Sequence, residues 1–103
     1  MRIIERRVMK LHGTFEAFQE QEKRFEALEK RLGGFLPKKH YRLFSGSEDS
    51  GTIVWEREWE SFAAMETAYE RMGGTEELKV ESQAAMAGVV TTERIEIYTT
   101  LSM

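Results

Sequence analysis

The chain has 103 residues, 41% of them hydrophobic and 32% charged, with a formal net charge of −3 and no cysteine. These values describe one globular domain over 1–103 and exclude a disulfide framework, thiolate chemistry and the basic face that nucleic acid requires. Apolar runs fall far short of the roughly 20 residues of a membrane helix. The N-terminal "MRIIERRVMKLHG" is charged where a signal peptide needs an apolar core, so a cytoplasmic location without membrane contact is expected.

In chain order, "RIIERRVMKLH" (2–12) reads as a first strand that stops at Gly13. Thr14 is placed to cap a helix whose apolar residues, Phe15, Phe18, Phe25, Leu28 and Leu32, recur at helical spacing. Glu20 with Arg24 and Glu26 with Lys30 stand four residues apart and suit pairs on its wet face. Gly33 and Gly34 end it, because glycine accepts the left-handed backbone that closes a helix. "KHYRLFSG" (39–46) and "TIVWEREW" (52–59) predict a hairpin around the polar turn "SEDSG". Ser61 then caps a second helix carrying Phe62, Met65, Tyr69 and Met72, ended by Gly73 and Gly74. Thr75 caps a shorter third helix, in which the small residues of "SQAAMAG" (82–88) predict close packing on a neighbour. "GVVTTERIEIYTT" closes the chain as a last strand.

The order β-α-β-β-α-(α)-β, with "EKRLGG" and "YERMGG" ending the two main helices, predicts two split β-α-β units. The expected fold is α+β, a ferredoxin-like antiparallel sheet of strand order 4-1-3-2 with helices on one face.

Several residues resemble a known group. The E-x-R of Glu5 and Arg7, the glycine at 13 before the first helix, and "WESFAAME" leading into two short helices resemble the dimeric α+β barrel superfamily. Within it they are most similar to the small NIPSNAP-like proteins of unknown role. The aromatic expected between Arg7 and the glycine is Met9 here, and the proline expected before the glycine is His12. The resemblance implies a homodimer and leaves the chemistry open. Haem-degrading members of the superfamily use an asparagine on the first strand and a tryptophan and histidine on the second helix. This chain has no asparagine, and residues 62–87 hold neither tryptophan nor histidine, so no cofactor is expected.

His12 and His40 fall at strand ends without an H-x-x-x-H or H-x-E partner, so no metal ligand is assigned. Ser45, Ser47 and Ser50 share a turn with no histidine and acid placed to activate them. The sharper constellation is charged. Grouping the apolar-rich parity class of each strand places Glu5, Arg7, Arg57 and Glu93 among Tyr41, Trp55 and Trp59 on one sheet face. As a site, Glu5, Arg7, Tyr41, Trp55, Arg57 and Glu93 would form a polar pocket between aromatic walls for a small organic ligand. As plain structure, the four charges would be a cross-strand ion ladder that fixes register. Two functions follow: a NIPSNAP-like protein that binds a small organic molecule, or a cofactor-independent monooxygenase or isomerase that works through the charged pocket.

The second parity class (Ile4, Val8, Phe44, Val54, Val90 and Tyr98, interleaved with Arg6, Lys10, Arg42, Glu56, Glu58, Arg94 and Glu96) has no helix left to cover it. A second copy of the chain is the expected partner for that face.

Overall fold

Three hydroxyl side chains start the three helices. The computed structural model describes residues 2–103, without the side chain of Met86. Its elements are β1 (Ile3–Leu11), α1 (Phe15–Leu32), β2 (Lys38–Arg42), β3 (Thr52–Trp59), α2 (Phe62–Gly73), α3 (Glu76–Met86) and β4 (Val90–Thr99). The side chains of Thr14, Ser61 and Thr75 accept from the backbone N–H groups of Ala17, Ala64 and Leu78, three residues on in each case. α1 ends at Gly33 and Gly34, whose φ values of 76° and 86° lie where a side chain is strained. The second glycine pair behaves differently. Gly73 is the last residue of α2 and Gly74 has φ −84°, so the chain turns straight into the Thr75 cap. The similar endings in sequence therefore hide two different turns. Among the described residues no helix is long and apolar enough to cross a membrane.

The four strands form one antiparallel sheet of order β2-β3-β1-β4, the arrangement expected. β1 lies at its centre with Glu5 opposite Arg57 and Arg7 opposite Trp55 on the β3 side, and opposite Ile97 and Ile95 on the β4 side. Directly opposed residues share a face, so these charges and Trp55 all point toward the helices.

Two assignments of facing need correction. β2 covers only Lys38–Arg42, and Tyr41 opposes Val54, which puts Tyr41 on the face away from the helices. Lys38, His40 and Arg42, opposite Arg57, Trp55 and Ile53, point toward α1 instead. The physical reason is charge: α1 offers Glu22 and Glu29 to Lys38, and the Phe15 ring to Arg42. Hydrophobic patterning alone misassigns a strand whose neighbour is this polar. In β4 the register shifts, with Val8 opposite Arg94 but Met9 opposite Thr92, so Glu93 is the unpaired residue of a bulge and is exposed. The bulge reverses the parity, so Val90 joins the helix side.

Seven of the buried apolar residues form two clusters at opposite ends of the helix-covered face. Met9, Phe18, Ile53 and Trp55 make one; Ile3, Trp59 and Ala68, backed by Phe35, Met65 and Tyr69, make the other. Between them runs the charged band of Glu5, Arg7 and Arg57. Of the expected helix stripes, Phe18, Leu28 and Met72 are buried, whereas Phe15 and Phe62 stay partly exposed. Arg24 reaches across to Glu81 on α3 rather than to Glu20, and Gln21, buried, donates to the same Glu81 carboxylate, so polar contacts tie α1 to α3. Extents of 37 × 36 × 17 Å describe a slab of one sheet and one helix layer, its second sheet face uncovered.

Candidate functional site: a charged cleft between sheet and helices

Glu5 is only 2% exposed, yet its carboxylate is well provided for. The Tyr69 hydroxyl lies 2.7 Å from each of its oxygens, and Trp59 Nε1 donates to Oε1 at 3.0 Å. Burial, and then the negative charge of Glu5, push the Tyr69 phenol above its ordinary range.

Arg57, 1% exposed, sits in an aromatic box. Its guanidinium carbon lies 4.9, 5.2 and 5.5 Å from the ring centres of Phe35, Trp55 and Trp59. Its counter-charge is Glu29, with Nη2 2.6 Å from Oε2. That contact is close but poorly aligned for a hydrogen bond, so Nη2 and Nε have no well-directed acceptor among the described residues. The rings and the ion pair together compensate for a buried cation.

Lys38 is the second buried cation. Its Nζ lies 2.9 Å from Glu22 and 3.6 Å from Glu29, above the Trp55 ring. His40 Nε2 meets the same Glu22 oxygen at 2.6 Å. Burial alone would push the Glu22 carboxyl up, but the His40 hydrogen bond and the Lys38 charge outweigh it and hold it below the usual value.

Arg7 differs from these. Its nearest carboxylate oxygen, on Glu5, is 3.8 Å away, and its buried Nε has no hydrogen-bond partner among the described residues. The guanidinium lies 5.1 Å over the Trp55 ring, with the side chain 29% exposed. It borders a cleft of about 230 Å³ between the sheet and the helices, with Met9 and Trp55 as floor, Phe18 and Phe25 as walls, and Lys38 at one side. Ser82 and Ala85 of α3 also line this space. The small residues of 82–88, apart from Met86, whose side chain lies outside the described part, therefore leave room for a cleft.

Of the six residues singled out from sequence, Glu5, Arg7, Trp55 and Arg57 come together on the helix side. Tyr41 lies on the opposite face and Glu93 in the exposed bulge, so neither joins them. Sequence reasoning placed Trp59 on this face but missed Glu22, Glu29, Lys38 and Tyr69 as partners of the charged band. A signal existed on α1: Phe18, Glu22, Phe25 and Glu29 fall at i, i+4, i+7 and i+11, one continuous stripe.

A single antiparallel sheet with helices on one face and a charged, aromatic-walled cleft beneath them defines a ferredoxin-like α+β protein. No family model matches the chain, and no curated protein matches it. Solved structures do. SnoaB from Streptomyces nogalater, described as a cofactor-independent oxygenase, superposes with a TM-score of 0.73 at 18% identity, covering 99% of this chain and 95% of that one. A NIPSNAP family protein from Agrobacterium tumefaciens gives 0.65 at 14% identity over 100% and 94%. An ethyl tert-butyl ether d (EthD) family protein from Bacillus halodurans gives 0.61 at 18% over 98% and 100%. The fold is therefore the ferredoxin-like fold that these proteins share.

Proposed function

We propose that the chain binds a small, flat, anionic organic molecule in the cleft, held by Arg7 against the Trp55 ring. The observation that carries this reading is the state of Arg7: a half-buried guanidinium over an aromatic ring, with a buried donor and no hydrogen-bonded carboxylate among the described residues. A carboxylate or phenolate entering the cleft would supply the missing acceptor. About 230 Å³ exceeds the roughly 150 Å³ cavity that holds benzene and falls below the ~300 Å³ where drug-sized pockets begin, which suits a single substituted ring. Glu5 argues against proton abstraction, because its two oxygens already face the Tyr69 hydroxyl and Trp59.

The second reading, cofactor-independent oxygenation, draws support from the likeness to SnoaB and from the same arginine. A guanidinium beside an aromatic wall would stabilise the enolate or phenolate form of a ring substrate, the form that passes an electron to dioxygen.

Titration with benzoate and hydroxybenzoates, followed by tryptophan fluorescence and amide NMR shifts, tests the binding. Saturable changes around Arg7 and Trp55 are expected, weakened at least ten-fold by Arg7→Ala. Absence of any shift at millimolar ligand, or unchanged binding by the variant, rejects the site. Oxygen uptake with an enolisable ring ketone decides whether binding leads on to chemistry.

We also infer that two copies pair through the uncovered sheet face. Ile4, Val8, Tyr41, Val54 and Tyr98 lie there, and most of its charges have partners within the chain: Arg6 stands 3.9 Å from both Glu56 and Glu96, and Arg94 pairs with Glu48 and Glu96. A face whose charges are largely paired costs less to cover than one of unpaired charges.

A further inference from the structure

Glu22 and Glu26 stand one helical turn apart on α1, and His40 faces them from β2, the edge strand. We propose that these three side chains form a site for one zinc-type divalent cation, which would clamp α1 onto the sheet edge. The distances suit it. His40 Nε2 lies 2.6 Å from Glu22 Oε2 and 4.0 Å from Glu26 Oε1, and one ligand atom from each residue falls within 4.8 Å of the others. Bonds of about 2.0–2.2 Å to nitrogen and oxygen place neighbouring ligands of a tetrahedral ion roughly 3.3 Å apart. The observed separations bracket that value, and small rotations of flexible side chains close the difference.

The donor set decides the ion. One imidazole nitrogen and two carboxylates, without thiolate, select zinc, cobalt or nickel over copper(I), and the imidazole selects against magnesium and calcium, which prefer oxygen alone. Glu22 is largely buried, whereas the side chains of His40 and Glu26 are 32% and 52% exposed, so the fourth position faces solvent and would hold water. A cavity of about 450 Å³ lined by Phe15, Gln19 and Tyr41 adjoins the three ligands and gives the ion a way in.

Local charge has to be counted, because Lys38 also touches Glu22. Glu22, Glu26 and Glu29 carry three negative charges against the two of Lys38 and Arg57. The excess carboxylate is Glu26, which makes no hydrogen bond among the described residues and whose side chain is half exposed. Glu22 would give one oxygen to the ion and keep Lys38 on the other, by rotation about its last side-chain bond. Lys38 then orients the ligand from behind.

The test uses the full chain without a histidine tag, stripped with a chelator. Calorimetry with zinc is expected to give one ion per chain, a melting temperature raised by several degrees at a hundred-fold excess over Kd, and a visible absorption band when cobalt replaces zinc. His40→Ala and Glu26→Gln should each weaken binding at least ten-fold while circular dichroism stays unchanged. His12→Ala should leave it as it was. Absence of saturable zinc binding overturns the proposal, as does binding that survives His40→Ala or is lost with His12→Ala. Equal affinity for magnesium would mean that the imidazole does not coordinate, and would overturn it too.

Discussion

The hydroxyl of Tyr69 on α2 stands 2.7 Å from both oxygens of Glu5 at the centre of the sheet, so a helix and a central strand are joined through a buried carboxylate. The contact satisfies a charge that would otherwise be costly in the core.

Tyr69→Phe removes that donor and leaves the carboxylate to Trp59. A charge-assisted hydrogen bond of this kind is worth about 1.5–3 kcal/mol, and urea denaturation should show a loss in that range. Because the folded phenol is raised above its unfolded value, its contribution is complete below about pH 10 and declines as pH rises further. One of the three tyrosines should therefore resist ionisation in an alkaline absorbance titration until the protein unfolds. If all three ionise while circular dichroism is still native, the buried contact is refuted.

Arg57 and Arg7 should part company on mutation. Arg57→Ala leaves Glu29 with only the more distant Lys38, beside an emptied aromatic box, and should cost about 3–5 kcal/mol. Arg7→Ala leaves Glu5 with the donors from Tyr69 and Trp59, so about 1 kcal/mol or less is expected. Equal costs for the two arginines would contradict the geometry.

The two glycine pairs offer a backbone test. Gly33, at φ 76° and ψ 166°, occupies a region essentially reserved for glycine, and Gly33→Ala should cost about 1–3 kcal/mol. Gly73 is helical, with open space where a Cβ would go, so Gly73→Ala should be neutral or stabilise by about 0.5 kcal/mol. Thermal melts of the two variants should move in opposite directions, or the second should not move at all.

Pairing through the open sheet face predicts a mass of about 24 kDa by light scattering at micromolar concentration, twice the 12.0 kDa chain. Tyr41→Asp, at a half-exposed position on that face, should return it to one chain without unfolding it. A wild-type mass of one chain would sink the pairing.

Sequence by itself determined what depends on neighbours along the chain. Thr14, Ser61 and Thr75 start helices because a hydroxyl reaches the N–H three residues on, and Gly33 with Gly34 stop one because only glycine turns there freely. Alternation in β1 and β3 put Glu5, Arg7, Trp55 and Arg57 on one face, since period two needs no partner to be read. Only the tertiary structure decided the rest. β2 turns Lys38, His40 and Arg42 inward because α1 presents carboxylates and a ring to them, a preference held by neighbours distant in sequence. The bulge at Glu93 reverses the parity of β4, a shift that no local pattern announces. Arg57 found Glu29, Glu5 found Tyr69, and Glu22, Glu26 and His40 converged for the same reason: long charged side chains choose partners by position in space, and that is set only when the helices pack on the sheet.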